Sequence, residues 1–173
     1  NLRPGDTLGV LVQAPFTPAR GVMTLRRDGL VRTESFEMDT SSYQLNIPIT
    51  EAHYPNFVVQ VDLVGAAIRT NDEGKPLPDV SKRPAYATGS LAIKVPPLRR
   101  ALDVVVRPRD KALNPGGKTQ LHIAVTDSSG EGVSNAEMAV VVVDESVLSL
   151  TGYQMADPVD IFYSSRRAGV RDV

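Results

Sequence analysis

The amino-acid sequence predicts an all-β protein of two β-sandwiches in tandem, with one short helix near the C-terminus. Three observations predict it. Apolar and polar residues alternate in segment after segment, the period of a half-buried strand. Gly-, Pro- and Asp-containing turn signals separate these segments at short intervals. Leu2-Arg3-Pro4-Gly5-Asp6-Thr7 returns as Leu113-Asn114-Pro115-Gly116-Gly117-Lys118, each time as a Pro-Gly turn leading into an apolar strand. A chain of 173 residues suits one large β domain or two small ones of about 100 residues each.

The elements follow in order. Leu8–Val12 is an apolar run between Pro4-Gly5 and Ala14-Pro15, and reads as a strand. Gly21–Arg27 alternates, with Val22 on one face and Met23 and Leu25 on the other. Asp28-Gly29 supplies a hairpin turn because glycine tolerates positive φ, and Leu30–Phe36 is the return strand. Tyr43, Leu45, Ile47 and Ile49 share one face of the next strand. Phe57–Val64 is the most apolar of this group and is placed centrally. Residues 66–87 break the pattern around Asn71-Asp72-Glu73-Gly74, read as a solvated loop, before a strand resumes at 89–95.

Pro96-Pro97-Leu98-Arg99-Arg100 reads as a linker, since two prolines do not sit inside a sheet. This places domain boundaries at 1–97 and 98–173. In the second half, 102–106 and 119–126 are strands, the latter with Leu121, Ile123 and Val125 facing inward. Asp127-Ser128-Ser129-Gly130 is a turn. Ala136–Val143 is apolar on both faces and is expected to be a strand buried on both sides. Asp157-Pro158 reads as an N-cap with Pro at N1, and Val159, Phe162 and Tyr163 make one face of a short helix.

Composition narrows the function. Hydrophobic residues make up 42% of the chain, too many for a disordered one. Aromatics are 5%, so the core rests on Val, Leu, Ile and Ala. A net charge of −1 gives no electrostatic footprint for nucleic acid or an anionic membrane. The absence of cysteine excludes disulfides, thiol nucleophiles, Cys-ligated zinc and a thioester made from these residues. No apolar run approaches the roughly 20 residues of a membrane span. The opening Asn1-Leu2-Arg3-Pro4-Gly5 has neither Met nor a signal peptide. It reads as part of a longer chain, with any export signal upstream.

No catalytic set emerges, so the chain is read as not an enzyme, and no cofactor or metal is expected. His53 and His122, the only histidines, are both expected at the surface. No Gly-x-Ser-x-Gly elbow is present. Asp144-Glu145 are adjacent, so on a strand they point to opposite faces and read as polar cover at its end. Asn71–Gly74 lacks the alternating oxygen spacing of a calcium loop. Arg166, Arg167 and Arg171 flank a glycine after the helix, the kind of exposed basic segment that trypsin-like proteases cut.

Val142-Val143-Asp144-Glu145-Ser146-Val147-Leu148 resembles the Val-Asp-x-x-Val-Leu segment of α-2-macroglobulins, carried here by Val143, Asp144, Val147 and Leu148. Asp157–Tyr163 resembles bacterial members of that family. The Pro-Gly-Asp opening and the passage from Val95 to Pro115 look like tandem macroglobulin domains. The resemblance implies fibronectin-III- or Ig-like sandwiches. Residues 1–97 would be one macroglobulin domain, and 98–173 the first, incomplete part of the domain that bears the bait region. It implies a broad-spectrum endopeptidase inhibitor that traps a protease after bait cleavage, with Arg166, Arg167 and Arg171 as bait-proximal cut sites. Its partners would be endopeptidases and neighbouring macroglobulin domains, with no nucleic acid. Any membrane contact would run through a lipid anchor outside this stretch. The setting implied is periplasmic or extracellular. The sequence contains no thioester motif. The alternative reading is a tandem Ig-like adhesin or cell-surface binding module.

Overall fold

The computed structural model describes residues 2–114, 116–143 and 145–170. The chain is all-β with short helices near its C-terminus, and it divides into two compact units. One holds the residues through Pro96 together with the segment from Ser165 onward, and the other holds Pro97–Ser164.

The first unit is a two-layer sandwich. One layer is an antiparallel pair, β1 (Thr7–Gln13) against β4 (Ser42–Pro48). The other is a four-stranded antiparallel sheet in the order β3 (Leu30–Met38), β2 (Ala19–Arg26), β5 (Asn56–Ala67), β8 (Arg83–Lys94). Period-two alternation sets what each strand contributes to the space between the layers. Ala19, Met23 and Leu25 come from β2, Phe36 and Met38 from β3, and Leu45 and Ile47 from β4. Phe57, Val59, Val61 and Leu63 come from β5, and Ile49, Tyr54 and Val95 close the ends. Each fully buried Val, Leu, Ile, Met or Phe contributes about 1.5–3 kcal/mol relative to its exposed state. The central place expected for 57–64 holds, since β5 pairs with β2 on one side and β8 on the other.

Two strands run further than the sequence pattern suggests. β5 continues to Ala67 and β8 starts at Arg83, so the expected loop is shorter. Within it β6 (Arg69–Thr70) and β7 (Pro76–Leu77) form a two-residue ladder. The Asn71 side chain closes that turn, its Oδ1 accepting from the backbone N–H groups of Glu73 at 3.1 Å and Lys75 at 2.8 Å. On β8, Leu91 lies opposite Val59 on the inward face yet is 50% exposed. The β1–β4 pair does not reach over it. An apolar slot of about 250 Å³ therefore opens there, lined by Val10, Val12, Val59, Val61 and Leu91 among others.

His53 departs from its expected surface position. It ends a single 3-10 turn (Glu51–His53) and is only 7% exposed. The turn folds its ring back onto Phe57, with centroids 4.7 Å apart, and the Thr50 N–H donates to its Nδ1 at 2.9 Å. His122 is exposed, as expected.

The second unit contains one antiparallel hairpin, β9 (Asp103–Pro108) with β10 (Leu121–Thr126). The turn after β10 is tied by Asp127, whose Oδ1 accepts from the Ser129 N–H at 2.8 Å, the Ser129 hydroxyl at 2.6 Å and the Glu131 N–H at 3.1 Å. The expected doubly buried strand over 136–143 is not formed. Residues 136–143 carry no ladder, and Val142 is 82% exposed. A strand apolar on both faces needs a layer on each side. Among the described residues the sheet structure of this unit is a two-stranded ribbon whose own Val104 and Val106 are exposed.

Two short helices follow. α1 (Glu145–Thr151) stands where the sequence suggested only polar cover. Glu145 lies in its first turn, where the helix dipole favours an acid. Gly152, at φ 61°, stops it, with its N–H donating to the Leu148 carbonyl at 2.9 Å. α2 (Pro158–Phe162) has the predicted cap, since the Asp157 side chain accepts from the Val159 N–H at 2.8 Å and Pro158 opens the helix.

Candidate functional site

Of the arginines picked out from the sequence, Arg166 and Arg167 lie against the first sandwich. The β2–β3 hairpin turns at Asp28 (φ 49°) and Gly29 (φ 138°), the left-handed conformations that an Asp-Gly pair accommodates. The turn leaves the N–H groups of both residues facing away from the ladder. The Asp28 N–H donates to the Arg167 carbonyl at 2.8 Å, and the Gly29 N–H donates to the Ala168 carbonyl at 3.0 Å.

Asn56, the first residue of β5, completes the contact. Its Nδ2 donates to the Arg166 carbonyl at 2.9 Å, and its Oδ1 accepts from the Arg166 N–H at 2.7 Å. One side-chain amide thus pairs with one backbone residue as a neighbouring strand would. Gly169 is required by proximity as well as by its φ of 71°. A β-carbon there would lie 2.5 Å from the Gly29 nitrogen and 2.6 Å from the Asp28 carbonyl carbon. The Arg166 guanidinium is 3.9 Å from the Asp28 carboxylate, and both side chains are about half exposed. An ion pair that open to water contributes little, so the segment is held through its backbone.

The other motif residues are not brought to this place. Val143, Val147 and Leu148 lie in the second unit, all partly or fully exposed. Asp144 and Arg171 lie outside the described residues. Sequence reasoning missed Asn56 and the role of Gly169. Asp28-Gly29 was visible as a turn, but nothing local marks it as a partner for a segment about 140 residues later. His53 is neighboured by Arg27, whose guanidinium donates to the Ala52 carbonyl. Burial pulls the His53 pKa below its ordinary value, and the charges of Arg27 and Arg32 act the same way. Among the described residues no group of three or more His, Cys, Asp or Glu could hold a metal ion. No helix among them is long and apolar enough to cross a membrane.

A β-sandwich followed by a hairpin unit, with a basic segment returning to the sandwich, defines a modular β protein. The alpha-2-macroglobulin bait region domain family matches residues 1–150, and the chain belongs to that family. It is 26% identical over 172 residues to the alpha-2-macroglobulin homolog of Nostoc, covering 98% of this chain and 9% of that protein. It is 25% identical over 167 residues to the alpha-2-macroglobulin of Escherichia coli, covering 96% and 10%. It is also 26% identical over 146 residues to the circularly permutated Ras protein 2 of Dictyostelium discoideum, covering 84% and 3%. The chain thus spans a tenth or less of the length of these relatives.

Proposed function

We propose that the chain is a structural segment of an α-2-macroglobulin-like inhibitor that traps endopeptidases of broad specificity once its bait region is cut. The match of the bait region domain family across residues 1–150 carries this reading. On it, 1–97 is a macroglobulin-type sandwich and 98–173 is the first part of the bait-bearing domain. Val143, Asp144, Val147 and Leu148 form a structural motif, and Arg166, Arg167 and Arg171 are bait-proximal cleavage sites. The segment performs no catalysis of its own. Its partners are endopeptidases, met through the longer protein, and the macroglobulin domains beside it, in a periplasmic or extracellular setting.

The physics is consistent. A bait must enter a protease cleft as extended chain, so it belongs on a loop held by rigid sandwiches. Cutting it can drive a large rearrangement only if the intact chain restrains a less stable arrangement. The test replaces the matched segment of the Escherichia coli relative with this chain and adds trypsin. Digestion of a large protein substrate is then followed beside that of a small peptide substrate. Loss of protein digestion with peptide hydrolysis retained supports a trap. Undiminished digestion of both substrates overturns it.

A further inference from the structure

We propose that the β2–β3 turn and Asn56 form a docking site for an extended stretch of backbone. Its occupant, residues 165–170 of the same chain, is a strap that withholds the bonds after Arg166 and Arg167 from proteases until it is released. The functional meaning of the strap rests on the cleavage reading above, while its existence does not.

Protection depends on which atoms are tied. A trypsin-like protease needs a basic side chain for recognition, but the bond breaks only when the carbonyl of that residue enters the oxyanion hole. The side chains of Arg166 and Arg167 are exposed and available for recognition. Their carbonyls are not available. That of Arg166 accepts from Asn56 Nδ2, and that of Arg167 accepts from the Asp28 N–H. The next carbonyl, of Ala168, accepts from the Gly29 N–H, and the Arg166 N–H donates to Asn56 Oδ1. Four hydrogen bonds over three consecutive residues must open before a protease can take the segment as a strand. Cleavage then follows the population of the released state.

The site is also selective. Asn56 and Arg166 are 110 residues apart in sequence, so the contact is tertiary and not a local turn. Only glycine fits at position 169, because any side chain there meets the Asp28–Gly29 backbone. Release can therefore be produced from either side of the contact.

The experiment is limited trypsin digestion of the 173-residue chain with mass analysis of each cut. The Lys82–Arg83 bond, where the exposed loop of the first unit meets the start of β8, serves as the internal standard. In the native chain, cuts after Arg166 and Arg167 are expected to lag behind the cut after Lys82. Asn56→Ala removes two of the four bonds, and Gly169→Val expels the strap while leaving every residue of the sandwich in place. Each is expected to speed cleavage after Arg166 and Arg167 about tenfold with the Lys82 rate unchanged. Amide exchange is the second readout, with slow exchange at Asp28, Gly29 and Arg166 lost in both variants. Native cleavage after the arginines as fast as after Lys82, or rates that neither substitution alters, would overturn the proposal. Neither readout uses trapping, so a chimaera that fails to shield its protease leaves the strap standing, and the reverse also holds.

Discussion

Phe36 fills the space over Gly21. The two residues are directly opposite in the β2–β3 ladder, and a β-carbon on Gly21 would collide with the Phe36 ring. The ring in turn stacks on Tyr43 of the facing layer, with centroids 4.6 Å apart and planes inclined by 15°. One glycine therefore lets a β3 side chain lie across its own sheet and still reach the other layer. Gly21→Ala is expected to cost about 1–3 kcal/mol through overpacking. For a unit of this size that lowers Tm by roughly 5 °C or more. Thermal denaturation followed by far-UV circular dichroism measures it. If the collision is the cause, Phe36→Leu in the Gly21→Ala background recovers part of the loss, which a double-mutant cycle would show as coupling. Additive effects would place the cost elsewhere.

His53 is expected to make the first unit sensitive to mild acid. Its pKa is below the ordinary value of 6.5 in the folded chain, mainly through burial. The unfolded chain then binds the extra proton first as pH falls, so stability is full above about 6.5. It declines as pH drops toward and through the lowered folded value. Protonation would also forfeit the bond that Nδ1 accepts from Thr50. Urea midpoints at pH 7 and pH 5 should differ in the native chain, and by less in His53→Gln. An equal pH dependence in both proteins would assign the effect to other groups.

The second unit should advertise its uncovered apolar surface. Val142 is largely exposed, and it belongs to an apolar run with no layer over it among the described residues. A two-stranded ribbon is marginal support in water, and exposed apolar surface binds hydrophobic dyes. Val142→Lys is expected to reduce dye fluorescence while changing the melting of the first unit by no more than about 0.5 kcal/mol, the range for surface sites. A large loss of stability would show that Val142 is buried in solution.

The first sandwich was legible because its signals are local. Met23 and Leu25 face inward and Val22 outward, as alternation requires, and Asp28-Gly29 turns where its residue types demand. The second unit defeated the same reasoning. Val140–Val143 carry a buried-strand pattern, but periodicity reports which residues want cover and not whether a partner is present to give it. Asp144-Glu145 read as polar cover at the end of that strand, so the helix over Glu145–Thr151 went unread although Gly152 is an ordinary stop signal. The arginine segment was found by residue type alone. Its docking depends on Asn56 and Gly169, whose significance exists only once residues 110 apart have met.

Asp127 tests whether the turn after β10 is as tightly made in solution. Its carboxyl pKa lies below the ordinary 3.8, first because the Ser129 hydroxyl donates to it and then because the N–H groups of Ser129, Glu131 and Gly130 favour the anion. A depressed carboxylate pKa adds stability that is present above the unfolded value and lost as pH falls through the folded one. The carboxylate is fully open to solvent, so the effect belongs to the turn and not to the fold as a whole. A carbon-detected NMR titration should place Asp127 below the ordinary 3.8. Ser129→Ala should move it part of the way back, because the hydroxyl is lost and the backbone donors remain. A native Asp127 that titrates at or above the ordinary 3.8 would mean that the turn opens in solution and that β10 ends without its cap.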